Sequence, residues 1–299
     1  MTGDPTVRAN GRAVRVSTPG RVLFPDVPFT KGDLVAYYLD VAEAVLPHIR
    51  GRPLTLHRFP YGVYGRHFYQ TRTPPHPDWI RTAVMHYPRT GKTFEAPVID
   101  DTAGLVWAAN LAAVELHPFL GRADDLDRPT GLVFDLDPGF PASLADACAV
   151  ALDLAETLAA TGLRAWPKTS GLKGLHVHVP LNTPVTFDET KAHARTVAAL
   201  LARRAPERVV DRMTRAVRAG KVFIDWSQND PGKSTVAPYA LRGLPTPSAA
   251  TPATWDEVRA WANGSAEFPA FGPANIRARL ARYGDLVAPL NATQQALGF

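Results

Sequence analysis

Two short apolar runs that each end in aspartate constrain this chain more than any other feature. Gly131-Leu132-Val133-Phe134-Asp135 continues into Leu136-Asp137 and is turned by Pro138-Gly139, while Lys221-Val222-Phe223-Ile224 leads into Asp225. Both runs read as buried strands. Alternate residues on a strand point the same way, so Asp135 and Asp137 share a face with Cα atoms roughly 6.5–7 Å apart. Like charges held that close repel unless a cation lies between them. Hard divalent cations such as magnesium or manganese take oxygen ligands. A lone D-x-D is more often an acidic turn after a strand. A second acid-ended strand changes that balance, because two such strands side by side supply three carboxylates, a set suited to two ions in phosphoryl transfer. Asp124-Asp125-Leu126-Asp127 lies in a polar, Pro-ended stretch and reads as a solvated turn.

The stretch Lys168-Thr169-Ser170-Gly171-Leu172-Lys173-Gly174-Leu175-His176 lies between the two acidic runs. Glycines let the backbone approach a ligand and aim N–H groups at an anion. Ser170 adds a hydroxyl and Lys173 a compact charge, and His176 and His178 share one face of the following strand. The spacing is not that of a Walker loop, and an ordinary glycine-containing hairpin is the plainer alternative. Arg215, Arg218 and Lys221 precede the third aspartate, and Lys233 and Arg242 follow it. Arginine suits bidentate phosphate contacts, although each of these is individually more often a solvated charge. Arg242, between Tyr239-Ala240-Leu241 and Gly243, is the least surface-like.

Around these motifs strands and helices interleave, the pattern of a mixed α/β domain. Thr30-Lys31-Gly32-Asp33 has the form of a capping box, opening a helix through about Ile49. Further helices are expected over 102–114, 143–161, 188–204, 255–262 and 275–283. Strands are expected over 53–59, 80–84, 93–99, 163–167 and 175–180. The 299 residues are 45% hydrophobic, enough to bury a substantial core. The single cysteine, Cys148, excludes an internal disulfide and a Cys-rich zinc site. The stretch MTGDPTVRANGRAVRV has no apolar segment of the secretory kind, and no run approaches the ~20 apolar residues of a membrane span. A cytoplasmic, nucleoid-associated protein is the expectation. A net charge of +5 and a pI near 9.4 favour an anionic partner such as nucleic acid.

GLVFDLDP, KTSGLKGLHVHVP, RAGKVFIDWSQND and TVAPYALRG, in this order, resemble the polymerase domain of the bacterial end-joining ligase LigD, in the archaeo-eukaryotic primase superfamily. TKGDLVAYYLDVAEAVLPHIRGRPLTLHRFPYGV and HFYQ extend the resemblance through the N-terminal half. It implies one domain over residues 1–299, with an RRM-like mixed-sheet core merged with an N-terminal α/β module, either stand-alone or part of a longer protein. It further implies template-directed addition of nucleotides, preferably ribonucleotides, to 3′-hydroxyl ends at gaps and breaks. The expected cofactors are two manganese or magnesium ions, with NTP or dNTP as substrate. The expected partners are DNA with a 5′-phosphate, Ku and a DNA ligase.

At matching positions the resemblance makes Asp135, Asp137 and Asp225 the metal ligands. It places His117, Ser170, Lys173, His176, Gln228 and Arg242 near the nucleotide and its triphosphate. Arg21 and Lys31 match residues that recognise a 5′-phosphate, and Phe68 and Tyr69 an aromatic pair near the template. His57 stands where family members can carry lysine, so its triphosphate contact is a departure. Tyr69 replaces phenylalanine and Arg21 replaces lysine. The rivals are a metal-dependent nuclease using the same acids and a non-catalytic DNA-end-binding scaffold.

Overall fold

The apolar runs that carry the aspartates form the middle of a five-stranded sheet in the computed structural model of the chain, which describes residues 4–86, 91–269 and 271–298. The chain divides into two compact units, one made of 1–124, 234–250 and 271–284, the other of 125–233, 251–270 and 285–299.

In the second unit the strand order is Trp166–Thr169, Leu175–Pro180, Gly131–Pro138, Val222–Asp225 and Val209–Val210. Neighbours are antiparallel except the last pair, which is parallel. The central strand is apolar on its even positions, and Leu132, Phe134 and Leu136 are fully buried. Helices Leu144–Ala159 and Phe187–Arg204 pack against it. Both open with capping boxes, Ser143 with Asp146 and Thr186 with Glu189. Each box satisfies backbone donors that the first helical turn leaves without partners. Burying those apolar side chains drives the packing, at about 25 cal/mol per Å² of apolar surface.

In the first unit Leu54–Arg58 is the centre of a three-stranded antiparallel sheet, flanked by Phe68–Gln70 and Ala113–Pro118. Arg81–His86 and Thr93–Val98 form a separate hairpin-like pair. Helices Lys31–Asp40, Ala42–Ile49, Thr102–Asn110 and Pro273–Tyr283 complete the unit. Among the described residues no helix is long and apolar enough to cross a membrane.

Three expected elements change. The helix expected through Ile49 stops and restarts at Val41, whose ψ of 8° leaves the helical range while its side chain stays in the core. The strand expected over 163–167 forms over Trp166–Thr169 instead. The helix expected over 102–114 ends at Asn110, and Ala112, at φ 57°, reverses the chain into the strand Ala113–Pro118. On a strand, Glu115 and His117 share a face; on a helix, residues two apart do not.

Candidate active site

Antiparallel pairing in the second unit sets Asp135 directly opposite Asp225 and Asp137 opposite Phe223. Paired residues project from the same side of a sheet, so the three aspartates occupy one face. On the other flank Asp135 pairs with His176, which in turn pairs with Lys168. A polar row, Lys168–His176–Asp135–Asp225, therefore crosses four strands. Lys168 is completely buried, and its Nζ lies 3.0 Å from His176 Nδ1. With Lys168 protonated, Nδ1 is the acceptor and the ring proton lies on Nε2. That nitrogen is 3.4 Å from Asp135 Oδ1.

Asp225 is held just as firmly. Its Oδ1 accepts from the Ser227 backbone N–H at 2.9 Å and the Ser227 hydroxyl at 2.6 Å, and its Oδ2 accepts from Gln228 Nε2 at 3.2 Å. Lys233 Nζ donates to the Ser227 hydroxyl at 2.5 Å. Asp137 lies in the opposite electrostatic situation. Burial raises its pKa, the Lys173 charge opposes that, and the Asp225 charge pushes it further up. A half-buried carboxyl beside two others on one face is an oxygen donor set that suits a hard divalent cation.

The glycine turn presses onto this strand. A Cβ on Gly174 would sit 2.2 Å from the Leu136 carbonyl oxygen, so glycine is required there by close approach. The Ser170 hydroxyl accepts from the backbone N–H groups of Leu172 and Gly174, each at 3.2 Å. It thereby shapes the turn while its own proton stays available to a ligand. Lys173 is exposed. On the other side, a Cβ on Gly139 would meet the Arg218 carbonyl oxygen at 2.2 Å. The Arg218 guanidinium stacks 3.7 Å from the Phe223 ring centroid.

A second polar cluster belongs to the first unit. His57 pairs with Tyr69 on one side and Glu115 on the other, and Thr55 pairs with His117, which sets these side chains on one face. Glu115 is the hub. Its Oε2 lies 2.7 Å from His117 Nε2 and 3.3 Å from His57 Nδ1. Its Oε1 accepts from the Gly243 N–H at 3.0 Å and lies 3.4 Å from Arg242 Nε. Burial alone would raise the Glu115 pKa. The hydrogen bond with His117, the close approach of His57 and the Arg242 charge outweigh it and hold the carboxyl well below its usual range. Burial lowers the His117 pKa against the opposing pull of Glu115. His57, Glu115 and His117 are all buried, with donor atoms within 4.8 Å of one another, so the trio can hold a metal.

The family description "LigD, primase-polymerase domain" matches residues 30–287. The chain belongs to the LigD primase-polymerase domain family. It is 39% identical over 283 residues to the "Multifunctional non-homologous end joining protein LigD" of Mycolicibacterium smegmatis, covering 93% of this chain and 36% of the relative. It is 29% identical over 242 residues to the "Bifunctional non-homologous end joining protein LigD" of Bacillus subtilis, covering 80% of this chain and 38% of that one. The chain thus spans little more than a third of the LigD relatives it matches. A solved structure, "Polymerase Domain from Mycobacterium tuberculosis Ligase D in complex with DNA", superposes with a TM-score of 0.87 at 38% identity, covering 94% of this chain and 99% of that one. The mixed α/β class of the LigD polymerase domain, expected from the motifs, is the class observed.

The remaining LigD-like positions lie in the first unit. Lys31 is buried, and its Nζ donates to Ser17 Oγ at 3.1 Å, Thr18 Oγ1 at 3.3 Å and the Asn110 carbonyl at 3.3 Å. Burial and then the Arg21 charge lower its pKa, against the pull of Asp4. Arg21 is exposed, with Nη1 donating to the Pro60 carbonyl at 2.7 Å. Phe68 and Tyr69 do not share a face. Tyr69 stacks on His57 at 3.9 Å, and Phe68 turns to the other side of the sheet toward Arg58. Gln228 reaches Asp225, and His176 reaches Asp135. Two residues escaped sequence reasoning. Glu115 was missed because a helix was expected up to 114, so no strand alternation tied it to His117. Lys168 could have been found from its alternation with Ser170 at the end of an apolar strand.

Proposed function

We propose that the chain is a template-directed nucleotidyltransferase of DNA repair. It would add nucleotides, preferably ribonucleotides, to 3′-hydroxyl ends at gaps and breaks with a downstream 5′-phosphate. On this reading residues 1–299 would make up a single LigD-like polymerase domain. The reading rests on one observation above all: three carboxylates in register on one sheet face, beside a basic glycine turn. Two divalent ions, manganese or magnesium, bound by Asp135, Asp137 and Asp225 would lower the pKa of the attacking hydroxyl and neutralise charge on the triphosphate.

The chain's own residues supply position and charge. Ser227 and Gln228 fix Asp225, and His176 fixes Asp135, so the acids need no rearrangement when substrate arrives. In the second unit Ser170 and Lys173 would offer a hydroxyl and an ammonium to phosphate oxygens; for His117, Arg242 and His57 of the first unit, a role toward the triphosphate rests on the family resemblance. Arg21 and Lys31 serve the 5′-phosphate, and Tyr69 offers a ring face to a base. A nuclease would need the acids without a triphosphate pocket. A scaffold would gain nothing from three acids gathered at a DNA-binding surface. The DNA-bound relative supports DNA as partner, and the names of the LigD relatives support non-homologous end joining as the setting; Ku and a DNA ligase are proposed as partners there.

The test is extension of a labelled primer across a one-nucleotide gap in manganese, with each nucleotide in ribo and deoxy form. Templated addition that Asp135→Ala/Asp137→Ala abolishes, faster with ribonucleotides, is the expected result. Tight DNA binding without addition would favour the scaffold, and primer shortening the nuclease.

A further inference from the structure

Lysine in place of His57 would give Glu115 a permanent cation; histidine gives it a ring nitrogen. The His57 ring is almost fully buried, at 7% side-chain exposure. Its Nε2 is engaged with His67 Nδ1 at 2.9 Å. Its Nδ1 makes no hydrogen bond and faces Glu115 Oε2 at 3.3 Å. A buried polar atom without a partner is costly, and a cation held between Nδ1 and Oε2 removes that penalty.

We propose that His57 Nδ1, Glu115 Oε2 and His117 Nε2 form a binding site for one divalent transition-metal ion, separate from the three aspartates. Two imidazoles and one carboxylate suit manganese, iron, cobalt or zinc better than magnesium. The supporting contacts are of the kind such ligands use. His67 orients the His57 ring, while the Gly243 N–H and Arg242 hold Glu115 by its other oxygen. The Arg242 charge opposes a cation, but it sits against Oε1 and leaves Oε2 to the histidines. Binding displaces the proton shared by His117 Nε2 and Glu115 Oε2. Three protein ligands leave coordination positions open; filling one with a triphosphate oxygen rests on the nucleotidyltransferase reading above, whereas the metal site itself does not.

The experiment separates the two centres. Full-length protein carrying Asp135→Asn/Asp137→Asn/Asp225→Asn is loaded with zinc, dialysed and assayed for bound metal, then titrated with cobalt and followed by its visible absorption. One equivalent of zinc and a saturable cobalt spectrum are expected. Adding His57→Lys removes a ligand and supplies Glu115 with a compact cation, so the fold is kept, as a thermal melt will verify, and the bound metal is lost. No retained zinc in the triple variant, or one equivalent unchanged by His57→Lys, overturns the proposal. Failure of the polymerase reading would instead show as absent nucleotide addition by the unmodified protein, whatever the metal count.

Discussion

Asp135 and Asp225 are cross-strand partners, paired directly across two antiparallel strands at the centre of a sheet. Like charges in that relation destabilise the metal-free fold, and burial first, with the Asp225 charge adding to it, raises the pKa of neighbouring Asp137. An acid with a folded pKa above its unfolded value holds more protons folded than unfolded between the two values. Stability therefore falls as pH rises through that window and stays reduced above it. Asp137→Asn should raise the melting temperature of metal-free protein at pH 7 by roughly 1–3 °C. The gain should vanish below about pH 4. Melts with manganese should show the reverse order, the wild type gaining more than the variant.

Lys168→Met keeps the volume of the buried chain and removes the donor to His176 Nδ1. The tautomer that presents Nε2–H to Asp135 is then no longer enforced. The expected result is a fall in kcat of about 10–100-fold with the nucleotide KM nearly unchanged. Steady-state gap filling, with circular dichroism as a check on folding, measures both. A raised KM at constant kcat would make Lys168 a triphosphate contact instead.

Glu115→Gln leaves Arg242 buried without its counter-charge. Removing one member of a buried pair costs about 3 kcal/mol, to be read from urea denaturation at pH 7. Because the Glu115 pKa is depressed, its stabilising contribution is present above the unfolded value near 4.5 and is lost only as pH falls through the lower folded value. The difference between wild type and variant should therefore persist at pH 5.

Lys31 presents a buried ammonium group to two hydroxyls and a carbonyl, which leaves its charge available to an anion. Lys31→Met should abolish any preference for a 5′-phosphorylated gap over an unphosphorylated one. Arg21→Ala should weaken that preference less, because Arg21 is exposed and screened. Binding measured on both DNAs decides it. A preference that survives Lys31→Met would remove the residue from end recognition.

Much of the second unit was legible because its determinants are local. GLVFD and KVFID state their strand character and their acids in consecutive residues, and Ser143 and Thr186 state their helix starts. The first unit was harder. Val106 to Val114 is apolar at every spacing but Asn110, so periodicity could not say where helix gave way to strand, and Glu115 lost its face. Phe68 and Tyr69 are adjacent in sequence and so looked like a pair, but a strand sends neighbours to opposite sides. Lys168 was overlooked as a site residue, despite that alternation, because a lysine on a strand end ordinarily reaches solvent. Its burial is a property of the row it completes.

At Gly139 and Gly174 an added carbon would first run into a main-chain carbonyl oxygen, 2.2 Å away in each case, so neither has room for one. The acid strand is thus wedged between two backbones that have no rotamers to adjust. The 170–174 turn cannot close further on Leu136 without pushing the strand and the carboxylates on either side of it, so the close approach sets a lower limit on the spacing between turn and acids. A methyl group at either glycine would act chiefly by giving that spacing a new resting value, a change felt in rate before it is felt in fold.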